Sequence, residues 1–138
     1  MSDKIITDLT LLHQISRVTT EAEVKELNLL ERLQKASLFT WTASAGLASI
    51  QIGVPVKFSW YIYKGYEYTL INPEIVTMIG KHTIKEGCLS IPHKWFEIER
   101  AWEIEYMTGG KKKWAQGFRA RLIQHEIDHM NGKLISDI

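Results

Sequence analysis

The chain has 138 residues, of which 45% are hydrophobic and 24% charged, a composition typical of a globular protein and not of a disordered chain. This length predicts a single domain over residues 1–138, and the net charge of +1 argues against a nucleic-acid-binding surface. A lone cysteine, Cys88, excludes an intramolecular disulfide bond and favours a reducing compartment. Since the sequence shows neither a signal-peptide core nor an apolar stretch of membrane length, we expect a soluble intracellular protein without membrane partners.

The first predicted element is a helix near residues 21–43. Thr20 and Glu23 form a capping box, in which each side chain reaches the backbone N–H of the other residue. Apolar residues then recur at three- and four-residue steps, namely Val24, Leu27, Leu30, Leu33 and Ala36. The pattern predicts a core-packed helix. The following segment, Ser44–Gly53, is rich in small residues and predicts a loop or short edge segment where the backbone closely approaches another group.

Three further segments have the character of strands or turns. Val56–Tyr63 and Tyr66–Ile71 are β-type runs, and Lys64-Gly65 between them predicts a hairpin turn. Trp95–Met107 alternates apolar residues with glutamates and predicts a half-buried strand or strand pair. Lys111–Lys113 follow two glycines and are interpreted as a solvated turn, not as a nucleic-acid patch.

The last predicted element is a helix near residues 116–131, which Asn131-Gly132 would end in a left-handed conformation. Strands therefore precede a long C-terminal helix. This order predicts an α+β fold with segregated elements.

That helix carries the sharpest chemical signal, because residues 125–129 read His-Glu-Ile-Asp-His. His125 and His129 lie one turn apart on the same helix face, so both imidazoles can reach one metal ion. Glu126 beside them can accept a proton from an attacking water. The alternative is a pair of helix histidines that make ordinary hydrogen bonds.

A catalytic metal site needs a third protein ligand and leaves one position open. The candidate is Cys88, within the upstream segment Glu86-Gly87-Cys88-Leu89-Ser90. Gly87 before it permits tight backbone geometry. The alternative for a lone buried cysteine is inert packing.

Three segments resemble the signature motifs of peptide deformylases, in the family's order and with similar spacing. They are Gly46–Gln51, Glu86–Ser90 and Gln124–His129. The resemblance runs from about residue 44 to the end and is weaker through the N-terminal helix. It implies antiparallel β-sheets around the C-terminal helix that carries the His-Glu-x-x-His motif. It also implies a metal-dependent hydrolase that removes the formyl group from the N-terminal formylmethionine of newly made proteins.

The resemblance also implies roles for individual residues. It assigns one divalent metal ion to three ligands, Cys88, His125 and His129. Glu126 would act as general base and then as general acid, while the Gln51 side-chain amide and the Leu89 backbone N–H would stabilise the oxyanion. The family points to iron(II) as the physiological ion, often replaced by zinc or nickel on purification.

The resemblance also implies substrate contacts, which are spread over more of the sequence than the metal ligands. Gly46 and Gly87 would lie beside the bound peptide, and Glu86 would pair with Arg100. The positions near the family's methionine side-chain pocket are Ile84, Phe118, Leu122 and Ile123. Core packing is the alternative for each of these pocket residues.

Departures from the family pattern concern substrate affinity and not the metal chemistry. Ser44 stands where a glycine is usual, Ser49 and Ile50 replace more typical residues, and Trp95 falls where some members have a substrate-contacting arginine. Six residues follow Gly132, as in compact versions encoded by bacteriophages. The expected setting is the bacterial cytoplasm, the host's for a phage protein, with formylmethionyl nascent chains as partners near the ribosome.

Two other classes of protein compete with this interpretation. A zinc endopeptidase with the same helix motif would take its third ligand downstream, where Asp137 is the sole candidate. A non-enzymatic binding module would close a structural metal site with a fourth ligand. His13, His82 or His93 would have to supply that ligand, and His93 is the first to check because it lies five residues after Cys88.

Overall fold

The computed structural model describes residues 3–38 and 46–138. The helices are α1 (Leu9–Leu12), α2 (Glu21–Glu26), α3 (Leu29–Leu38) and α4 (Gly117–Met130). The strands are β1 (Gly46–Ala48), β2 (Phe58–Tyr63), β3 (Tyr66–Ile71), β4 (Glu74–Ile79), β5 (His82–Cys88), β6 (Ile91–Arg100), β7 (Glu103–Thr108) and β8 (Lys111–Gln116). Two short 3-10 helices cover Ser49–Ile52 and Ile135–Asp137. This content confirms the predicted α+β class.

The described strands form three antiparallel sheets, in the orders β1-β2-β3, β4-β7-β8 and β5-β6. Helix α4 packs against the first two of these sheets. The core between them contains Tyr61, Leu70, Ile104, Tyr106, Ala120, Ile123, Ile127 and Met130. A second core joins α3 to β1 and β2 through residues that include Leu29, Leu33, Leu47 and Trp60. The C-terminal helix is therefore enclosed by sheets, as the resemblance implied.

The predicted helix over residues 21–43 is wrong in one respect, because the chain leaves the helical conformation between α2 and α3. Asn28 has φ 52°, a left-handed conformation that asparagine tolerates better than most residues. The break changes which side chains face the core, so that Leu29 and Leu33 are fully buried while Leu30 is 39% exposed. Residues 39–43 of the predicted helix lie outside the described residues.

The hairpin predicted around Lys64-Gly65 is confirmed, with φ of 51° and 82° at the two turn residues, as a two-residue hairpin turn requires. Trp95–Met107 was expected as one strand or a strand pair, but it belongs to two strands that pair with different partners, β6 with β5 and β7 with β4 and β8. Lys111–Lys113 are exposed as expected, although they begin β8 and do not form a turn.

The small-residue segment forms the edge strand β1 followed by a 3-10 helix, in agreement with the predicted edge segment; Ser44 and Ala45 lie outside the described part of the chain. Among the described residues, no helix is long and apolar enough to cross a membrane.

The end of α4 is fixed by Gly132. Its φ is 73°, and the N–H of Lys133 donates to the carbonyl of Asp128 at 2.8 Å, which satisfies one of the last helix carbonyls. A side chain at Gly132 would collide with the carbonyl oxygen of His13. The helix end therefore docks closely on the N-terminal segment.

Gly132→Ala should lower the free energy of unfolding by more than about 1 kcal/mol, because it adds a backbone collision to the left-handed strain. Gly110→Ala is the matched control, since Gly110 has φ 77° and a Cβ added there would have no neighbour within 4 Å. Urea denaturation of both variants under identical metal loading measures the difference. Equal losses of stability would contradict the close contact between Gly132 and His13.

Candidate metal centre

Three potential metal ligands converge at the junction of β5 and α4. The ligand atoms of Cys88, His125 and His129 all lie within 4.8 Å of one another. The Cys88 Sγ is 3.4 Å from His129 Nε2, and the Nε2 atoms of the two histidines are 3.2 Å apart. The structure therefore brings together the three residues that the sequence singled out as ligands.

These separations fit a tetrahedral ion. Metal–nitrogen and metal–sulfur distances near those of zinc place two nitrogen ligands about 3.3 Å apart, and a nitrogen and a sulfur about 3.6 Å apart. The distances of 3.2 Å and 3.4 Å between the ligand atoms agree with both values. A thiolate and two imidazoles are also a donor set suited to zinc, iron(II), cobalt or nickel.

Local structure explains how each ligand reaches the centre. The helical spacing of four residues stacks His125 and His129 on one face of α4. Cys88 ends β5, where the pairing with β6 shifts between Glu86 and Cys88 as at a β-bulge. Leu89 and Ser90 then form the tight turn into β6.

A buried carboxylate sets the orientation of His125. Glu86 is 7% exposed, and its Oε1 lies 2.9 Å from His125 Nδ1. Burial alone would raise the pKa of Glu86, but hydrogen bonds from His125 and Arg100 lower it to about 2. The ionised carboxylate can only accept, so the His125 Nδ1 carries the proton and the Nε2 points to the centre.

Two arginines hold that carboxylate. Arg100 donates from Nε and Nη2 to the two oxygens of Glu86 at 2.6 and 2.9 Å, and from Nη1 to Asp128 at 2.8 Å. Arg121 also donates to Glu86 and reaches the carbonyl oxygens of Ile98 at 3.0 Å and His82 at 2.5 Å. The predicted pair of Glu86 and Arg100 is thus part of a larger buried network that links β5, β6 and α4.

Glu126 lies beside the ligands and against Gly46. A Cβ at Gly46 would come within 2.6 Å of Glu126 Oε2 and 3.0 Å of Tyr61 Cβ. Glu126 is 2% exposed, and its Oε1 has no hydrogen-bond partner among the described residues. A side chain at Gly46 would therefore displace the Glu126 carboxyl group and crowd Tyr61.

Burial affects the protonation of all three motif side chains. It raises the pKa of Glu126 to about 7 and lowers that of His129 well below its usual value. Burial would also lower the pKa of His125, but hydrogen bonds with Cys88 and Glu86 raise it to about 10. A cation bound here would displace the extra proton from His125, which couples metal affinity to pH.

The orientation of Gln51 is fixed by backbone. Its Oε1 accepts from the N–H of Ala48 at 2.9 Å, so the amide nitrogen must point the other way, to Ser90 Oγ at 3.0 Å and Cys88 Sγ at 3.7 Å. Leu89 follows Cys88 directly in the chain. The structure thus places a donor amide beside the ligand sulfur, while the oxyanion role of the Leu89 N–H stays a prediction.

The predicted methionine-pocket residues divide into two groups. Ile84 and Leu122 are half-buried, and Phe118 is 51% exposed on the first turn of α4. Ile123 is 0% exposed within the main core, which favours the alternative of core packing for this residue. It packs in the core with Tyr61 of β2 and with Ile104 and Tyr106 of β7.

Gly87 accommodates the indole of Trp95, because a Cβ at Gly87 would lie 2.8 Å from a ring carbon of that residue. Trp95 is itself 69% exposed. The glycine therefore permits packing of an aromatic side chain beside the metal-ligand strand, in addition to its place in the bulge.

The proposed fourth ligands of a closed site lie elsewhere. His13 contacts Asp137 at 3.0 Å, the His82 ring packs edge-on against Trp102, and His93 is exposed. Asp137, the sole downstream ligand available to the endopeptidase alternative, is the residue that His13 contacts. Within the described residues, the cluster has three protein ligands, the number typical of catalytic sites.

Comparisons with known proteins agree with this geometry. The profile of the polypeptide deformylase family matches residues 4–138. The chain belongs to the polypeptide deformylase family. This membership confirms the resemblance found in the three motifs. The family consists of metal-dependent hydrolases that remove N-terminal formyl groups.

Individual relatives support the same assignment. A peptide deformylase from Dictyoglomus thermophilum is 40% identical over 97 residues, which cover 67% of this chain and 63% of that relative, less than two thirds of its length. The peptide deformylase structure from Thermotoga maritima has a TM-score of 0.89 at 29% identity, and the match covers 99% of this chain and 97% of the Thermotoga chain. A probable peptide deformylase from Synechococcus phage S-SSM7 has a TM-score of 0.88 at 30% identity, with 99% coverage of both chains.

Sequence reasoning missed three residues of this deformylase-like centre. Arg121 and Asp128 complete the network around Glu86, and Ser90 accepts from Gln51. Arg121 lies four residues before His125 on the helix, a spacing that could have indicated a shared face. The contact of Ser90 depends on tertiary structure and has no comparable signal.

Arg121→Met should weaken metal affinity by about tenfold, because Glu86 then loses one of its two cationic partners and orients His125 less firmly. Competition with a chelator for bound zinc measures this change. Arg119→Met is the control, since Arg119 lies on the same helix but contacts Tyr61 of β2 and Tyr106 of β7 and not Glu86. Unchanged zinc affinity in the Arg121 variant would remove Arg121 from the support of the centre.

Proposed function

We propose that this chain is an active peptide deformylase, which hydrolyses the formyl amide of N-terminal formylmethionine on newly made proteins. The observation that carries the proposal is the convergence of the Cys88 sulfur and two histidine Nε2 atoms beside the buried carboxyl group of Glu126. Three ligands with an adjacent proton acceptor form the arrangement of a hydrolytic metal site.

The ligands in this proposal are Cys88, His125 and His129, and the native ion is iron(II), with zinc or nickel as substitutes. Such an ion supplies Lewis-acid chemistry, lowering the pKa of water and polarising the formyl carbonyl. The network of Glu86, Arg100 and Arg121 presents His125 Nε2 to the ion.

Glu126 has two roles in turn. Its carboxylate accepts a proton from the attacking water and later donates that proton to the leaving amine. The missing side chain at Gly46 leaves room for the carboxyl group next to the ligands, and burial excludes competing water.

Gln51 and Leu89 stabilise the negative charge that develops on the former carbonyl oxygen. The bond from Ala48 N–H aims the Gln51 amide at the centre before reaction, so little reorganisation is needed when the charge forms. The Leu89 backbone N–H is the second donor of this oxyanion site.

Two strand edges flank the centre and suit an extended peptide. Gly46 lies in β1 and Gly87 in β5, each of which ends the strand order of its sheet within the described chain. An extended substrate backbone can bond to such edges. Ile84, Phe118 and Leu122 offer apolar surface for the methionine side chain.

The cellular setting follows from this chemistry. We propose one catalytic domain over residues 1–138 that acts in the bacterial cytoplasm, where formylated nascent chains leave the ribosome. For a phage-encoded protein, that cytoplasm would be the host's.

The direct test is release of formate from formyl-Met-Ala by protein purified without oxygen, with metal content measured in parallel. Turnover in proportion to bound iron supports the proposal. Metal-loaded, folded protein that releases no formate would contradict it.

Glu126→Gln should keep its metal but lose most turnover, because an amide cannot accept the proton from water. Metal analysis and formate release measure the two properties on one sample. Glu99→Gln, at an exposed position of β6, is the control and should retain wild-type turnover. Near-normal kcat in the Glu126 variant would refute the general-base role.

Gln51→Leu should lower kcat by about 100-fold with little change in KM, since the donor acts on the transition state. Gln51→Glu separates the two ends of the side chain, because it keeps an acceptor for Ala48 N–H and removes the donor. It should lose turnover as well. An effect confined to KM in both variants would make Gln51 a substrate-binding residue instead.

A further inference from the structure

A small apolar cluster includes the cysteine of the metal centre. Cys88, Ile98 and Ile135 are buried together, with exposures of 9%, 0% and 3%, and Ile91 and Phe96 pack against them. Ile135 comes from the C-terminal 3-10 helix, far from β5 in the sequence. A residue outside the family motifs therefore contributes to the surroundings of the ligand sulfur.

The position of Ile135 is set by a polar contact between the two ends of the described chain. The Asp137 carboxylate accepts from Leu134 N–H at 2.8 Å and contacts His13 Nε2 at 3.0 Å. The segment that carries His13 is in turn bound to the end of α4, where Ser16 N–H donates to the Met130 carbonyl at 2.8 Å. The short helix is thus anchored on both sides of Ile135.

Cys88 differs from His125 in how it is held. A carboxylate orients His125, whereas the polar contacts of the Cys88 sulfur among the described residues are those of a sulfur atom, with the other two ligands, His129 at 3.4 Å and His125, and with Gln51 at 3.7 Å. Sulfur hydrogen bonds are weak, and a cysteine side chain has one rotatable bond with three staggered positions. Packing must therefore select the position that faces the centre.

We propose that Ile135 is a positioning residue for Cys88: it fills the space behind the sulfur, holds the sulfur on the ligand side and keeps water from it. The inference rests on the proposed function in taking Cys88 as a metal ligand. The apolar shell of a metal site controls solvent access and ligand orientation. Loss of the Ile135 side chain would open a second position for the sulfur.

The test uses the reactivity of Cys88, the sole thiol of the chain, so that iodoacetamide labelling reports on this residue alone. In full-length protein stripped of metal, Ile135→Ala should be labelled about tenfold faster than wild type, and zinc loaded into the same variant should pass to a chelator about tenfold faster. Ile135→Val should restore both rates to within about twofold, because it refills most of the space.

Leu134→Ala is the matched control. Leu134 is 1% exposed and adjacent to Ile135 but is not part of the Cys88 cluster, so its truncation should leave the labelling rate near the wild-type value. Asp137→Ala removes the anchor at the surface without touching the cluster, and it should accelerate labelling in the same direction. If circular dichroism shows that Ile135→Ala does not fold, the labelling rate of Asp137→Ala tests the proposal instead.

Wild-type rates in Ile135→Ala, or equal acceleration in Leu134→Ala, would overturn the proposal. If Ile135→Ala does not fold, a wild-type rate in Asp137→Ala would overturn it. Failure of the proposed function has a different signature: zinc would then give no protection of Cys88 in the wild-type protein, while the labelling of metal-free variants would still report on the packing.

Discussion

The buried carboxylate of Glu86 is the interaction on which the rest of the centre depends. An isolated carboxylate at 7% exposure would become protonated and could not fix the tautomer of His125. Burial raises its pKa, but hydrogen bonds from His125 and Arg100 lower it to about 2 and keep the carboxylate ionised, and Arg121 donates a further hydrogen bond to it. Because breaking a buried charge network leaves an uncompensated charge, these partners are coupled and none can be removed without effect on the others.

The fold brings β5, β6 and α4 together at the metal centre, and each element supplies residues of the network. β5 supplies Glu86 and Cys88, β6 supplies Arg100, and α4 supplies both histidines with Glu126 and Arg121. The antiparallel pairing of β5 with β6 and the burial of α4 between sheets fix these elements relative to one another. Gly46 and Gly87 allow the close approaches, the first to Glu126 and the second to Trp95.

Sequence patterns predicted those features that depend on neighbouring residues. The spacing of His125 and His129 and the hairpin at Lys64-Gly65 are local, and the structure agrees with both. Reasoning from the pattern failed where tertiary structure overrides it. The left-handed Asn28 changes the buried face of the following helix, so that Leu29 is buried and Leu30 is partly exposed. The helical spacing of Arg121 and His125 indicates only a shared face, whereas the contacts of Arg121 with Glu86 and with carbonyl groups of β5 and β6 depend on tertiary structure.

The convergence of Cys88, His125 and His129 predicts that one ion is held by one sulfur and two imidazole nitrogens. X-ray absorption spectroscopy of zinc-loaded protein measures this ligand set directly. The structure predicts one ion per chain, with one sulfur about 2.3 Å from the zinc and two imidazole nitrogens about 2.0 Å from it. A spectrum with no sulfur in the first coordination sphere, or with a second sulfur or a third imidazole, would contradict it.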